Sequence, residues 1–253
     1  LEDLGFDLVL RKYKHKESVL FFRYDKLYYS ERIDRKMLFP SDRKAGLLVC
    51  IEIWMKMTEL CKRAFGYRTE WHAFALNQLG ITLMYDNQST RALQCFLESL
   101  DIRKYLWGEN ELTAVEYNNI GCAYDAIGEW MVGNTYLMKA LEIRKSKLGD
   151  HEDTAESYCN IANNLMNMQR NNEALIYARK SIAIRNRIGD NFKIAYSLNN
   201  LALIYNNLDE KGRAMSLLDK AIRILNSFGW TESMEIQTMK VNRNHIYGQS
   251  LDT

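Results

Sequence analysis

Asn118-Asn-Ile-Gly121, near the middle of the chain, is one of four related segments that decide the fold. The others are Asn77-Gln-Leu-Gly80, Cys159-Asn-Ile-Ala162 and Asn199-Asn-Leu-Ala202. Their last residues are all glycine or alanine and stand 41, 41 and 40 positions apart. Self-similarity at a fixed period of this length is typical of proteins in which each repeat packs on its neighbours.

A second segment follows each of the four at a nearly constant distance. It has aliphatic residues at its first and third positions and runs into a glycine: Gly108, Gly149, Gly189 or Gly229. The four copies are Leu100-Asp-Ile-Arg-Lys104, Leu141-Glu-Ile-Arg-Lys145, Ile182-Ala-Ile-Arg-Asn186 and Ile222-Arg-Ile-Leu-Asn226. The helical spacing of the apolar residues predicts two helices in each copy. Gly108, Gly149 and Gly189 predict left-handed residues at the ends of the second helices.

These copies resemble tetratricopeptide repeats. That family places a bulky residue, Leu, Gly or Ala, and Tyr on helix A, and Ala, an aromatic residue or Leu, and Ala on helix B. The matching helix A residues are Leu76, Leu79, Gly80, Leu83, Tyr117, Ile120, Gly121, Tyr124, Tyr158, Ile161, Ala162, Leu165, Leu198, Leu201, Ala202 and Tyr205. The matching helix B residues are Ala92, Phe96, Ser99, Gly133, Leu137, Ala140, Ala174, Ala178, Ser181, Ala214, Leu218 and Ala221.

The resemblance implies an all-α fold, a right-handed α-solenoid of tetratricopeptide helix-turn-helix repeats. Because the usual repeat has about 34 residues, these longer copies look like the kinesin-light-chain type. The four predicted repeats span residues 70–111, 112–151, 152–190 and 191–230. Residues 1–69 are predicted to be a helical region with a degenerate repeat, made of helices at 16–38 and 42–65. Residues 231–253 are predicted to be a capping helix and tail, with Met239 and Val241 pointing inward.

Composition excludes several classes of protein. One proline in 253 residues fits helices joined by short turns, and 47% apolar with 26% charged residues argues against disorder. The net charge of +2 gives no reason to expect nucleic acid or an anionic membrane as partner. Without a membrane span, a secretory segment or closely spaced cysteines, the protein is expected in the cytoplasm with free thiols. Leu1 in place of methionine favours a processed chain or a piece of a longer one.

The sequence contains no motif for catalysis, for a cofactor or for a metal. Phosphate-binding, dinucleotide-binding and HExxH patterns are missing, and the four histidines lie far apart. His151 precedes Cys159 by eight residues, but we interpret the two as a loop histidine and a helix cysteine. We therefore predict a non-enzymatic protein with no cofactor and no metal.

The predicted binding surface is the concave side of the array, which helix A lines. Four carboxamides occupy one position in the four copies: Gln78, Asn119, Asn160 and Asn200. Because an amide both donates and accepts, such a row could hold the backbone of an extended peptide, as the resemblance also implies. The alternative left open is that these amides bridge neighbouring repeats and set the superhelix.

Further residues on the same face would give specificity. The set is rich in amides and consists of Asn77, Tyr85, Asn118, Asp125, Asn163, Met166, Asn167, Tyr196, Asn199 and Asn206. A chaperone-type carboxylate clamp would need Lys and Arg at such positions. Their absence favours an extended peptide with apolar anchors.

The leading functional hypothesis is a scaffold or adaptor module that binds a protein or peptide. The alternative is the ligand-sensing domain of a larger regulator, which binds a short signalling peptide. RNA binding is a third and less favoured hypothesis, because its basic residues are expected to complement helix dipoles in solvent. They are Arg103, Lys104, Arg144, Lys145, Lys147, Lys180, Arg185 and Arg187. Self-association into a homo-oligomer through exposed tyrosines also stays open.

Overall fold

A computed structural model of the chain describes residues 43–229 and 234–251. The predictions for residues 1–42, including the helix at 16–38, and for 230–233 lie outside the described residues. The regular structure in the described ranges is α-helical. The helices are α1 (Arg43–Phe65), α2 (Glu70–Tyr85), α3 (Ser89–Trp107), α4 (Glu111–Ala126), α5 (Trp130–Leu148), α6 (Glu152–Asn167), α7 (Asn171–Ile188), α8 (Asn191–Asn207), α9 (Lys211–Ser227) and α10 (Met234–Leu251).

The helices pack in consecutive pairs. Helix α2 packs on α3, α4 on α5, α6 on α7 and α8 on α9, and each pair packs on the next. Consecutive A helices (α2, α4, α6, α8 and α10) also contact one another, more extensively than consecutive B helices (α1, α3, α5, α7 and α9) do. The A helices therefore lie on the inner, concave side. The predicted all-α solenoid is confirmed.

The core consists of positions that recur in every repeat. In the second repeat Ile120 and Leu137 are fully buried where α4 crosses α5. Gly121 permits this approach, since a Cβ there would lie 2.6 Å from Cγ of Leu137 and 3.0 Å from the Gly133 carbonyl oxygen. All predicted core positions of both helix types are buried except Tyr124, which is half-buried.

A helices and B helices begin differently. Each A helix from α2 to α8 has a side-chain cap; at α4, Asn110 Oδ1 accepts from the backbone N–H groups of Leu112 and Thr113 at 2.9 and 3.0 Å. At α6 the cap is His151, whose Nδ1 accepts from the Asp153 N–H at 3.2 Å. Helices α3, α5, α7 and α9 lack such caps and follow tight turns that contain a residue of positive φ. These residues are Asn87 (59°), Gly128 (87°), Gln169 (60°) and Asp209 (61°).

The glycines that end the B helices do not share one conformation. Gly189 is a left-handed residue with φ 78° and ψ 17°, as predicted. Gly108 and Gly149 combine positive φ (66° and 60°) with ψ of −151° and −130°. The left-handed prediction is wrong for these two, because their ψ places them in a region open only to a residue without Cβ.

The terminal helices of the described array, α1 and α10, bury apolar residues against their neighbours. On α1, Ile51 and Trp54 are buried, which confirms the helix predicted at 42–65. On α10, Ile236, Met239 and Ile246 are at most 2% exposed, but Val241 is 65% exposed. The prediction that Val241 points inward is wrong, because residues two positions apart on a helix face nearly opposite sides.

Candidate functional site

Carboxamides on α6, α8 and α10 connect each of these inner helices to the preceding one. The three contacts run from an Nδ2 donor to an acceptor of the preceding repeat: Asn160 to Asn118 Oδ1 (3.0 Å), Asn200 to Cys159 Sγ (3.1 Å) and Asn242 to Asn199 Oδ1 (3.1 Å). We name these three contacts the amide ladder. The predicted alternative of bridging amides therefore matches the geometry of Asn160 and Asn200.

The first repeat interface breaks this pattern. Asn119 occupies the ladder position in the second repeat, but its Nδ2 is buried without a hydrogen-bond partner among the described residues. Its expected acceptor, Asn77, is engaged elsewhere: Asn77 Nδ2 lies 3.0 Å from both carboxylate oxygens of Glu116, and its Oδ1 accepts from Gln78 at 3.5 Å. Asn119 is therefore a groove amide with an unused donor.

The predicted groove residues differ in exposure. Asn77 and Asn118 are buried, at 4% and 5% exposure, so they form the floor rather than the surface of the groove. Tyr85 and Asn167 are exposed. The remaining predicted residues are half-buried: Gln78, Asn119, Asp125, Asn160, Asn163, Met166, Tyr196, Asn199, Asn200 and Asn206.

Three arginines predicted to lie on a solvated basic ridge are buried instead. Arg103, Arg144 and Arg185 are 3%, 3% and 5% exposed. Each reaches from the end of a B helix to a backbone carbonyl of the next A helix: Leu112 (3.2 Å), Asp153 (2.9 Å) and Lys193 (3.2 Å). We name these contacts the arginine staples. The ridge keeps its lysines and Arg187 exposed, but the RNA hypothesis loses three of its cations.

Each staple also meets a buried side chain of the next repeat. Arg144 and Arg185 donate to the hydroxyls of Ser157 (2.9 Å) and Ser197 (2.6 Å), and Arg103 lies 3.0 Å from Glu116. In the fourth repeat the equivalent residue is Leu225, which is fully buried. The position of the staple arginine is thus an interface position in every repeat. In the sequence, the recurrence of Ile-Arg at this place in three repeats could have indicated that these arginines are structural.

The carboxylate of Glu116 completes the first interface. It is fully buried, accepts from Ser99 Oγ at 2.7 Å and from Asn77, and pairs with Arg103. Burial raises the pKa of Glu116, and the charge of Arg103 opposes that rise. This network explains why the first interface has no amide rung: Glu116 draws Asn77 away from Asn119.

Basic residues are nearly missing from the A helices of the four repeats. Helices α2, α4 and α6 contain no lysine or arginine, and α8 contains only Lys193, which pairs with Glu152 at 3.2 Å. Among the groove acids, Glu156 pairs with Arg144 at 3.3 Å. Asp125 instead accepts a short hydrogen bond from Asn164, and burial raises the pKa of its carboxyl to about 6.

Other candidate chemistry finds no support. His151 is a helix cap, and Cys159 is a buried thiol whose pKa is raised by burial, so the pair lacks the features of a base and nucleophile. All five cysteines are free thiols. Within residues 43–229 and 234–251, no group of three or more His, Cys, Asp or Glu side chains could hold a metal. No helix of those ranges is long and apolar enough to cross a membrane.

Comparison with known proteins confirms the resemblance inferred from the sequence. The family model described as tetratricopeptide repeat matches residues 153–227, within the third and fourth repeats. No curated protein matches the chain.

Several solved structures have the same fold. Kinesin light chain TPR-like repeats from Podosopora anserina are 16% identical (TM-score 0.61, 74% of this chain and 90% of that chain). BtubC (BKLC) from P. vanneervenii is 17% identical (TM-score 0.67, 81% and 85%). A Rap protein complexed with Competence and Sporulation Factor is 15% identical (TM-score 0.70, 99% and 66%). The array therefore has the tetratricopeptide fold of kinesin-light-chain-like proteins.

Proposed function

We propose, starting from the tetratricopeptide fold of this array, that its concave face binds an extended segment of a partner protein. The fold is that of protein-interaction scaffolds. In support of the finer proposal, the inner helices present half-buried amides and apolar side chains, and α2, α4 and α6 contain no lysine or arginine. Amides can pair with the backbone of any extended peptide, while the apolar groups between them select its side chains.

The observation that supports this proposal best is the unused donor of Asn119. A buried amide N–H without a partner costs about 1–3 kcal/mol, and rotation of the half-buried Asn119 side chain toward a ligand carbonyl in the groove would remove that penalty. Asn160 and Asn200 already donate within the amide ladder. We therefore assign Asn119 to the ligand and the other two amides mainly to the joints between repeats.

A second candidate function is ligand sensing within a larger regulator. The observation that favours it is the likeness to the Rap protein whose structure is a complex with Competence and Sporulation Factor. This chain spans 66% of that protein. In a sensor, a bound peptide would change the pitch of the superhelix, whereas in an adaptor the pitch would stay constant. Small-angle scattering with and without a bound peptide distinguishes the two.

The test of peptide binding is selection of a random peptide library displayed on phage. Enriched peptides are synthesised with a fluorescent label and titrated by anisotropy against the protein, Asn119→Ala and Asn172→Ala. Asn172 is an exposed amide on B helix α7 and serves as the control. Loss of one hydrogen bond predicts about fivefold weaker binding for Asn119→Ala alone. Failure to enrich any peptide, or equal affinity of all three proteins, would overturn the proposal.

A further inference from the structure

The turn between α4 and α5 differs from the three equivalent turns. The B helix that follows this turn begins with Trp130-Met-Val132. The corresponding residues are Ser89-Thr-Arg91 in the first repeat, Asn171-Asn-Glu173 in the third and Lys211-Gly-Arg213 in the fourth. The helical geometry is the same in all four, so the turn itself does not require apolar residues. Three large apolar residues in one turn of four therefore need another explanation.

These side chains are exposed. Trp130 is 42%, Met131 69% and Val132 38% exposed, and Ile127, at the end of α4, is 38% exposed. We name Ile127, Trp130, Met131 and Val132 the apolar turn. Contiguous exposed apolar groups of this kind mark interaction sites, and Trp is among the residues that contribute most to binding energy.

The apolar turn is joined to the groove by one side chain. Nδ2 of Asn164, on α6, donates both to Asp125 and, at 2.8 Å, to the Trp130 carbonyl oxygen. Asn164 is itself fully buried and accepts from Asn134 Nδ2 at 2.8 Å, so its position is fixed. The Asp125 carboxylate is thereby held beside the backbone of the apolar turn.

The charges around this place are unbalanced. Asp125 is partly desolvated, and the described residues supply it with an amide donor but no cation. Glu129, next to Trp130, is exposed, and the inner helices α4 and α6 contain no lysine or arginine. An incoming cation would therefore find an uncompensated carboxylate at reduced solvation, where an ion pair is stronger than in water.

We propose that the apolar turn and Asp125 together anchor a partner segment that carries a large apolar side chain close to a lysine or arginine. The apolar side chain packs on Trp130 and Met131, and the cation pairs with Asp125. This inference rests on the proposed function and names the chemistry of its ligand. A second copy of this chain fits less well, since a two-fold contact through this surface would bring the acidic patch of Asp125 and Glu129 close to the same acidic patch of the other copy.

The experiment uses the peptides enriched from the random library and two variants. One variant carries Trp130→Asn, Met131→Asn and Val132→Glu, which installs the turn of the third repeat. The other is Asp125→Asn, which keeps an acceptor for Asn164. Ile176→Asn is the matched control, because Ile176 is 54% exposed on α7, outside the apolar turn. Near-ultraviolet circular dichroism checks that each variant keeps its packing.

The enriched peptides are expected to contain lysine or arginine near a large apolar residue. Each variant then binds about tenfold more weakly than the unaltered protein, and Ile176→Asn binds equally well. A peptide whose basic residue is replaced by glutamine becomes insensitive to Asp125→Asn. Peptides that bind the groove but ignore both variants would overturn this inference and leave the proposed function intact, whereas an empty selection would remove both. Concentration-dependent sedimentation that the turn variant abolishes would identify a self-association surface instead and overturn the inference.

Discussion

Nδ2 of Asn160 lies 3.0 Å from Oδ1 of Asn118, 42 positions earlier in the chain and one repeat away. A carboxamide on the concave face is thus used to join two repeats. An asparagine Nδ2 also donates across the next two interfaces, to Cys159 Sγ and to Asn199 Oδ1, but not across the first, where Glu116 holds Asn77. Asn160 and Asn200 therefore join neighbouring repeats, whereas Asn119 keeps an unpaired donor.

Replacing Asn160 by alanine should destabilise the array. The change removes a donor and leaves the buried Oδ1 of Asn118 unpaired, which costs about 1–2 kcal/mol. Asn119→Ala is the matched change at the same helix position and removes a buried donor without a partner, so the free energy of unfolding should stay the same or rise by up to about 1–3 kcal/mol. Urea unfolding followed by circular dichroism measures both. Equal losses for the two variants would contradict the assignment.

Two neighbouring arginines should respond very differently to alanine. The Arg185 side chain is 6% exposed and clamps Glu152 through Nε and Nη2 at 3.2 and 2.7 Å, besides its contact with Ser197. Arg185→Ala leaves Glu152 without its buried partner and should cost about 3 kcal/mol or more. Arg187 is 62% exposed and pairs with Asp150 at 2.8 Å, so Arg187→Ala should cost under about 1 kcal/mol. Thermal and urea unfolding of both variants decide the point.

Alanine at two helical glycines should have opposite effects. At Gly121 a Cβ would overlap Leu137 and the Gly133 carbonyl, and overpacking of this kind costs about 1–3 kcal/mol. At Gly212, in the first turn of α9, nothing lies within 4 Å of the added carbon. Gly212→Ala should therefore be neutral or stabilise by up to about 1 kcal/mol through helix propensity. Destabilisation by Gly212→Ala matching that of Gly121→Ala would refute this account.

Asp125 should make stability depend on pH. Its pKa is raised from 3.8 to about 6 in the folded protein, so the folded state binds the proton more tightly than the unfolded chain does. The resulting contribution to stability is fully present below the unfolded pKa and disappears as pH rises through about 6. Asp125→Asn removes it. Between about pH 4 and pH 7, the unfolding free energy of the unaltered protein should therefore fall relative to that of Asp125→Asn as the pH rises. A difference that is constant across this range would rule out a raised pKa.

The helix pairs and their core could be predicted because one physical cause controls them. Close helix packing favours a small residue opposite a large one, and this leaves sequence patterns such as Gly80 with Phe96 and Gly121 with Leu137. At α10 the same reasoning failed, because there was no repeat of its own against which to align Val241. Its neighbours at helical spacing, Ile236 and Met239, indicate the buried side correctly.

The polar contacts between repeats could not be derived in the same way. Arginine at the end of a helix is consistent with solvent exposure and with burial, and only the next helix determines which applies. Leu225 in place of the arginine was an indirect signal, since a fully buried leucine fits an interface position and not a solvated ridge. Whether an asparagine joins repeats or keeps an unpaired donor likewise depends on its neighbours, as the contact of Asn77 with Glu116 shows for Asn119.

The arginine staples make the junctions between repeats interchangeable in only part of the array. Arg144 donates to Ser157 in the same way as Arg185 donates to Ser197. The second and third repeats therefore end in an equivalent arginine, and the third and fourth repeats begin with a helix that carries an equivalent serine. A duplicate of residues 152–190 inserted after residue 190 would find a matching joint on both sides. Leu225 makes no such contact, and it belongs to the same hydrophobic cluster as Ile236 and Met239 of α10. A duplicated repeat could therefore be accommodated in the middle of the array, but not with the same arginine–serine contact at the last described interface.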